Sequence, residues 1–328
     1  MIGFLYVIGV TENMIKNIGG LLNDDGQQNN IKRCCVTGAA GFIGYHLTRR
    51  LLNDGYTVTA VDNLSTGSSE RIESLAQLGN LTFLPKDINE LTIEELEGHA
   101  GIFHLAALPR VQVSIDRPEE TNHANVTGTL HLYETAKRAN IKKIIYSASS
   151  SAYGDQEKFP LEEDMKPNPM NPYAIQKLVG EYYGQVYTEL FGMQVVSLRY
   201  FNVYGPGQSD DSPYTGVITL FKKAVREGKP IEIHGDGKQS RDFTYVDDVV
   251  EANLAAFDSW ATGVYNIGSG QDYSINQIAD IIGGEKYEKV YLNARQGDPL
   301  KTLADINKAR ADLAWEPKVK LEDKLNSF

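Results

Sequence analysis

The chain has 328 residues, 41% of them hydrophobic and 23% charged, enough for one large or two moderate globular domains. The net charge of −11 argues against a nucleic-acid-binding surface, and no basic run overturns that conclusion. The six histidines show no metal-ligand spacing. We therefore expect a cytoplasmic, soluble protein that binds neither nucleic acid nor a structural metal.

Residues 1–30 are predicted to form an N-terminal extension. Residues 1–10 are apolar, but they supply about half of the ~20 residues that a bilayer crossing needs. The segment also lacks the basic start and the small-residue cleavage site of a secretory signal. We expect no membrane association, and a natural start at Met14 or later is the alternative interpretation.

From residue 31, short β-rich runs alternate with helical patterns. Strands are predicted at 32–37, 56–61, 81–84, 101–106, 142–147 and 193–200, and helices at 42–54, 68–78, 118–139 and 171–191. This alternation, with nearly continuous apolar strands, predicts a parallel sheet covered on both faces. Cys34 and Cys35 are neighbours in the first strand, so we expect them to point to opposite faces as free, buried thiols.

The character of the chain changes at residue 204, where Gly, Pro and Asp become frequent, as at a domain boundary or lid. Beyond it we predict a helix at 216–228, a strand at 231–235 and a helix at 248–258 with Asp247 as its N-cap. The predicted fold class is α/β, a Rossmann-type doubly wound parallel sheet with a smaller interleaved C-terminal substrate lobe. The dinucleotide domain would span 31–203, with 243–270 returning to it, and the lobe 204–328.

Gly38, Gly41 and Gly44 follow the first predicted strand and open the first helix. Glycines let the backbone approach a pyrophosphate, and a helix N-terminus supplies unpaired N–H groups and positive potential. Asp62 closes the second strand, where a carboxylate can bind ribose hydroxyls and repel a 2′-phosphate. The pattern predicts NAD rather than NADP. Asp87, after the third strand, is either an adenine contact or a surface carboxylate.

Tyr173 and Lys177 stand four residues apart, on one face of the predicted helix 171–191. A cation beside a phenol lowers the pKa of the phenol from ~10 towards the working pH, so that it can take a proton from an alcohol. A serine cluster, Ser149–Ser151, lies upstream. Together with the dinucleotide loop, the pair indicates redox chemistry at a carbinol carbon.

The assembled motifs resemble the extended short-chain dehydrogenase/reductase family, most closely its NAD-dependent nucleotide-sugar 4-epimerases of the UDP-glucose and UDP-N-acetylglucosamine type. The resemblance runs from about Lys32 to Trp315. The motifs that carry it are TGAAGFIG, DNLSTG, HLAA, YSASSSAYG, NPYAIQK, RYFNVYGPGQ, GDGKQSRDFTYVDDV and RQGD.

The resemblance implies a role for each matching position. Ser149 would bind the sugar 4-hydroxyl, Tyr173 would be the base, and Lys177 its electrostatic partner. Residues of the cofactor site would be Gly38, Gly41, Phe42, Ile43, Gly44, Asp62, Asn63, Ser65, Thr66, Gly67, Asp87, Ile88, Ala106, Asn125, Tyr173 and Lys177. Residues of the substrate site would be Ser149, Ser150, Asn202, Val217, His234, Arg241, Arg295, Asp298 and Thr302.

Within the substrate site the resemblance gives finer roles. Arg241 and Arg295 would clamp the diphosphate, since paired guanidinium hydrogen bonds can offset its charge. Asn202 would contact the diphosphate or the sugar, and Asp298 the nucleoside ribose. Relatives restricted to glucose and galactose often carry a tyrosine at the position of Thr302, where threonine leaves room for an N-acetyl group. The alternative for Thr302 is a neutral surface residue.

Related 4,6-dehydratases usually carry acids where this chain has Ser150 and Ser151, which disfavours dehydration. We therefore expect epimerisation at carbon 4 of a UDP-sugar, through a transient 4-keto intermediate. The alternatives are a UDP-glucuronate decarboxylase, a dehydrogenase with net consumption of NAD, and a binding protein without activity. The resemblance also implies a homodimer formed through the helices predicted at 118–139 and 171–191.

Overall fold

The computed structural model describes residues 32–209, 216–294 and 299–325, so the predicted extension lies outside the described part. Its strands are β1 Arg33–Thr37, β2 Thr57–Val61, β3 Leu81–Leu84, β4 Gly101–His104, β5 Lys143–Ser149, β6 Gln194–Tyr200, β7 Val203–Tyr204, β8 Ile231–His234, β9 Ser240–Asp242, β10 Thr244–Tyr245, β11 Gly263–Ile267, β12 Asp272–Ser274 and β13 Lys289–Leu292.

The α-helices are α1 Phe42–Asn53, α2 Ser69–Ala76, α3 Ile93–Leu96, α4 Val111–Asp116, α5 Pro118–Asn122, α6 Gly128–Arg138, α7 Pro172–Phe191, α8 Val217–Arg226, α9 Val246–Asp258, α10 Ile275–Gly283, α11 Asn307–Leu313 and α12 Leu321–Leu325. A π-helical turn, His123–Thr127, joins α5 to α6. Within the described ranges, no helix is both long and apolar enough to cross a membrane.

Seven strands form one parallel sheet in the order β11-β6-β5-β4-β1-β2-β3. The order reverses beside β1, because the chain builds outward to β3 and then returns to β4 on the other side. Such a reversal leaves a crevice at the carboxyl ends of the strands. The Rossmann-type α/β fold predicted from the sequence is confirmed.

The sheet is covered on both faces, as its apolar strands predict. Cys34 and Cys35 are neighbours in β1, both fully buried, and they belong to the hydrophobic cores on opposite faces. Both thiols are free, as expected. A third core joins α8, β8 and α10 in the C-terminal part of the chain.

The elements predicted up to residue 200 end within two residues of observed ones, although the helix predicted at 118–139 contains the π turn. The short helices α3 and α4 were not predicted. The prediction that Asp247 is an N-cap is wrong. Helix α9 begins at Val246 directly after β10, and its N-cap is Tyr245. Asp247 lies instead in the first turn, where its carboxylate still faces the positive end of the helix dipole.

Candidate active site

A cleft of about 1860 Å³ opens at the carboxyl ends of the sheet strands. Its walls come from the segments that follow β1, β2, β4, β5 and β6. The predicted site residues that line it are Gly38, Gly41, Phe42, Ile43, Gly44, Asp62, Asn63, Ser65, Thr66, Asp87, Ile88, Ala106, Ser149, Ser150, Tyr173, Lys177, Asn202, Val217, His234, Arg241 and Thr302. The fold thus brings residues from across the sequence to one place.

Two of the predicted residues that the structure describes, Gly67 and Asn125, do not line the cleft. Gly67 packs against the loop between β1 and α1, where an added Cβ would lie 2.6 Å from the Cβ of Ala40. Asn125 is 1% exposed, and its side chain is bonded within the protein. Arg295 and Asp298 lie outside the described residues.

Two glycines where β1 leads into α1 have no space for a side chain. At Gly38, whose φ is +72°, an added Cβ would lie 2.7 Å from the Ala106 nitrogen. At Gly44, in the first turn of α1, it would lie 2.0 Å from the Gly38 oxygen. The N-cap of α1 is Gly41, which has no side chain to cap the first turn. The turn therefore presents free N–H groups and positive potential to the cleft, which suits a pyrophosphate.

Asp62 fixes the geometry between this loop and the segment after β2. Its two carboxylate oxygens accept hydrogen bonds from the Ala40 nitrogen at 3.0 Å and from the Leu64 nitrogen at 2.8 Å. Burial raises the pKa of Asp62, and those two N–H donors oppose the rise. Carboxylate oxygens have lone pairs beyond those two bonds, so Asp62 can also accept from ribose hydroxyls.

Helix α7 carries Tyr173 and Lys177 into the cleft. Asn171 caps its N-terminus by accepting from the Ala174 nitrogen at 2.9 Å, and Pro172 occupies the first helical position. The ammonium group of Lys177 is buried and donates to the Ser147 carbonyl oxygen at 2.8 Å. Burial lowers the pKa of Lys177 to about 8, against the opposite effect of the Glu181 carboxylate.

The prediction that Lys177 lowers the pKa of Tyr173 does not describe this structure. Burial raises the pKa of Tyr173 to about 12, and the Ser149 hydroxyl is the group that opposes the rise. The physical reason is that Lys177 points to a main-chain oxygen. A phenol in this setting holds its proton at neutral pH until further positive charge reaches the cleft.

The hydroxyl of Ser149 is oriented by its neighbour. Ser151 donates to the Ser149 Oγ twice, from its nitrogen at 3.2 Å and from its own Oγ at 2.9 Å. Because two lone pairs are used, the remaining hydrogen of Ser149 is free to be donated. Its interaction with the Tyr173 phenol opposes the rise in the pKa of that phenol. Ser149 is thus placed to donate to an oxygen on the cleft side.

On the opposite wall, Asn202 and Thr302 are joined. The side-chain nitrogen of Asn202 donates to the Asp242 carbonyl oxygen at 3.0 Å and to the Thr302 Oγ1 at 3.2 Å. Asn202 has a φ of +25°, a strained conformation that often accompanies a functional position. Thr302 is only 6% exposed, which makes the alternative of a neutral surface residue wrong.

Sequence reasoning missed Arg71, Ser114 and Gln176. Arg71 bonds to the main-chain oxygens of Ala40 and Gly207, so it links the phosphate loop to the loop after β7. The buried hydroxyl of Ser114 accepts from the Tyr173 nitrogen at 3.0 Å. The sequence signal that could have pointed to Gln176 is its place as a polar residue inside NPYAIQK, three residues after the predicted base Tyr173.

Fold and cleft together define a Rossmann-type dinucleotide-binding protein. The model of the "NAD dependent epimerase/dehydratase family" matches residues 34–268. The UDP-glucuronate 4-epimerase of Thermodesulfobacterium geofontis is 38% identical over 304 residues, which cover 88% of this chain and 93% of that protein. The UDP-N-acetyl-alpha-D-glucosaminuronate decarboxylase of Bacillus cytotoxicus is 36% identical over 312 residues, which cover 90% and 95%.

Solved structures show the same relationship. The UDP-N-acetylglucosamine 4-epimerase from Methanobrevibacter ruminantium, in complex with UDP-N-acetylmuramic acid, has a TM-score of 0.86 and 38% identity and covers 90% of this chain and 96% of that chain. The UDP-glucuronic acid 4-epimerase from Bacillus cereus, in complex with UDP-glucuronic acid and NAD, has a TM-score of 0.83 and 35% identity, with 90% and 97% covered.

The chain belongs to the NAD dependent epimerase/dehydratase family, within the extended short-chain dehydrogenases/reductases. NAD is its cofactor, as predicted. The cleft fits that molecule because a backbone cradle without side chains at Gly38 and Gly44 adjoins a free helix N-terminus.

Proposed function

We propose that this protein is an epimerase that inverts carbon 4 of a UDP-sugar. The observation that carries the proposal is the convergence of Ser149, Tyr173 and Lys177 in the cleft, with serines at 150 and 151 where a dehydratase needs acids. With NAD as the hydride acceptor, a hydroxyl donor and a phenolic base suffice to oxidise a carbinol and to reduce the ketone again. Elimination of water would need an acid that these positions do not supply.

The residues act on a single proton. Tyr173 takes the proton of the sugar 4-hydroxyl and later returns it to the same oxygen, which belongs to a 4-keto sugar in between. The hydroxyl of Ser149 donates to that oxygen and holds it beside the phenol. Lys177 lies on the same helical face as Tyr173 and would keep positive charge in the cleft, although its ammonium group bonds to Ser147 and does not by itself lower the pKa of the phenol. Bound NAD supplies a reversible hydride acceptor at carbon 4.

NAD would be held by the segments that follow β1, β2 and β4. The cradle of Gly38, Gly41 and Gly44 would take the pyrophosphate, and Asp62 would accept from the adenosine ribose. A carboxylate there repels the 2′-phosphate of NADP. The other predicted cofactor residues that line the cleft stay assigned to the same role, whereas Asn125 would act through the protein rather than by direct contact.

We assign the opposite wall to the UDP-sugar. Arg241 lines the cleft and would neutralise the diphosphate. We propose the same role for Arg295. Val217 and His234 would lie along the nucleotide, and Asn202 beside the sugar. Thr302 has a small side chain where the sugar's 2-substituent would lie, so we propose turnover of both N-acetylated and unsubstituted sugars.

We also propose a homodimer formed through α7. An apolar stripe on this helix, at Ile175, Tyr182, Val186 and Leu190, is 42–70% exposed. The spacing of seven, four and four residues places these side chains on one helical face. Exposed apolar patches of this kind mark protein interfaces, and a twofold axis across α7 would bury the stripe against its own copy.

The deciding experiment incubates the purified protein with UDP-glucose, UDP-galactose, UDP-N-acetylglucosamine, UDP-N-acetylgalactosamine and UDP-glucuronate, each in a separate reaction. Interconversion of 4-epimers without accumulation of NADH supports the proposal. Release of carbon dioxide from UDP-glucuronate would identify a decarboxylase, and net NADH a dehydrogenase. Bound NAD with no conversion of any sugar would leave a binding protein.

The matched variant is Tyr173→Phe, which removes the phenol oxygen and leaves the ring. Loss of a general base lowers kcat by about 10²–10⁴-fold, and NAD binding should persist. Tyr265→Phe is the control, because that hydroxyl bonds to the Asp312 carboxylate at 3.0 Å and neither residue is among those that line the cleft. Epimerase activity in Tyr173→Phe equal to that of the control would remove Tyr173 from the mechanism.

A further inference from the structure

Gln176 stands between Tyr173 and Lys177 in α7, but its side chain is directed into the protein and is 3% exposed. Its carboxamide accepts from the Asn125 side-chain nitrogen at 2.8 Å and donates to the Thr121 Oγ1 at 2.9 Å. Thr121 in turn donates to main-chain oxygens of α5 and its N-cap, at 3.1 Å and 3.2 Å. A buried polar chain therefore starts at the residue next to Lys177.

The other end of this chain reaches the cleft wall. Asn125 lies in the π turn, and its side chain pairs with both main-chain groups of Leu108. The Leu108 nitrogen donates to the Asn125 Oδ1 at 2.8 Å, and the Asn125 Nδ2 donates to the Leu108 oxygen at 3.1 Å. Leu108 follows β4 and lines the cleft. Gln176 thus links the wall at Leu108 to the first turns of α7.

Every hydrogen bond in this network pairs a donor with an acceptor, and no two donors or two acceptors face each other. The Asn125 nitrogen is shared between Leu108 and Gln176, and the Gln176 nitrogen has Thr121 as its acceptor. Removing one member leaves a buried polar group without its partner, which is unfavourable in a low-dielectric interior. The network therefore holds α7 in one position relative to the cleft wall.

We propose that Gln176 is a positioning residue, which fixes the Tyr173 phenol and the Lys177 ammonium against the wall at Leu108. The inference rests on the proposed epimerase function. Tyr173 precedes Gln176 by less than one helical turn, so a shift of the Gln176 backbone moves the phenol with it. A displacement of about 1 Å at a reacting group lowers turnover by roughly 10²-fold without removing any contact to substrate.

The test compares Gln176→Met, Thr121→Val and the double variant in the NAD-loaded protein. We expect kcat to fall by about 10- to 100-fold in each single variant, with KM and NAD affinity within about twofold of wild type. The double variant should lose no more than Gln176→Met alone, because both substitutions break one network. Thr121→Ser keeps the hydroxyl and should restore kcat.

Thr188→Val is the structural control on the same helix, since the Thr188 hydroxyl donates to the Gly184 oxygen at 2.9 Å far from the cleft. It should lower thermal stability and leave kcat intact. The inference is overturned if Gln176→Met keeps its kcat, if its kcat falls only as far as that of Thr188→Val, or if Thr121→Ser is as impaired as Thr121→Val.

Amide hydrogen exchange separates this inference from the proposed function. Gln176→Met should speed exchange at residues 174–178, whichever substrate the protein uses, and unchanged exchange there contradicts the proposal. If wild type converts no UDP-sugar, the epimerase proposal fails alone, and the exchange rates still decide whether Gln176 fixes the first turns of α7.

Discussion

The ammonium nitrogen of Lys177 lies 2.8 Å from the main-chain oxygen of Ser147, which accepts its hydrogen bond. The side chain is 4% exposed, and the ring of Tyr146 lies 5.1 Å from the same nitrogen. Burial of a cation is unfavourable, so the pKa of Lys177 falls to about 8. The charge that the proposed reaction needs is thus held in the cleft at the expense of folding stability.

Lys177→Met should therefore stabilise the NAD-free protein near neutral pH. The unfolded lysine has a pKa of about 10.4. Between pH 8 and that value the unfolded chain binds more protons than the folded chain, and the stability of wild type rises with pH. Below about pH 8 the variant should be more stable by roughly 1–3 kcal/mol, a difference that disappears towards pH 10.

Urea unfolding at about pH 7 and about pH 9.5 measures this difference, with the exposed Lys158→Met as control. The control should show no such change with pH. If Lys177→Met is less stable than wild type at neutral pH, the bond to Ser147 outweighs the desolvation of the ammonium group.

Gly44→Ala should weaken NAD binding. The new Cβ would lie 2.0 Å from the Gly38 oxygen, so the phosphate loop must move away from α1. Overpacking of this kind amounts to about 1–3 kcal/mol, equivalent to a roughly 10- to 100-fold loss of NAD affinity. Titration of NAD-free protein with NAD measures the loss. Gly79→Ala is the matched control, because its nearest neighbours are 3.6 Å away, and an unaltered affinity in both variants would contradict the proposed cradle.

The sequence predicts the sheet and the phosphate loop well because both depend on local patterns. Apolar strands and the glycine spacing around Gly38 are visible in a few consecutive residues. The contacts of Lys177 and Asn125 are not visible in this way. Four-residue spacing places Lys177 on the same helical face as Tyr173. It does not predict that the flexible lysine side chain bonds to the main-chain oxygen of Ser147. Asn125 was assigned to the cofactor, whereas tertiary packing turns it towards Leu108 and Gln176.

Sequence patterns do not predict the small strands in the C-terminal part of the chain, for a different reason. Strands β9, β10 and β12 have two or three residues each, too few to show a period. Their positions depend on partners distant in sequence, since β9 pairs with β12 and β10 pairs with β7. The bond between Asn202 and Thr302 is likewise visible only in the structure, although the resemblance gave each residue a role in the substrate site.

Val186→Glu combined with Leu190→Glu should separate the proposed homodimer. Two carboxylates in an apolar interface are desolvated and repel their copies across a twofold axis. Light scattering with size-exclusion chromatography should show a monomer that still binds NAD. Trp260→Glu is the control, because Trp260 is 87% exposed but lies after α9 and outside the α7 stripe. A wild-type monomer, or a dimer that survives the double substitution, would contradict the proposed interface.

Thr302→Tyr should narrow the range of sugars. The buried Thr302 hydroxyl accepts from the Asn202 side chain at 3.2 Å and from the Asp242 nitrogen at 3.3 Å, so its side chain lies close to the residue proposed to contact the sugar. A tyrosine ring there would occupy space next to the sugar's 2-substituent. We expect kcat/KM for UDP-N-acetylglucosamine to fall by on the order of 10²-fold, and that for UDP-glucose far less.

Two further variants separate volume from hydrogen bonding at this position. Thr302→Ser keeps the acceptor for Asn202 and should preserve both activities. Thr302→Val keeps the volume and removes the acceptor, which leaves the Asn202 amide without one partner, so both sugars should lose turnover to a similar extent. Coupled assays with the two sugars measure all three variants. Because only the tyrosine fills the space, N-acetyl turnover that is unchanged in Thr302→Tyr would show that Thr302 does not limit the 2-substituent.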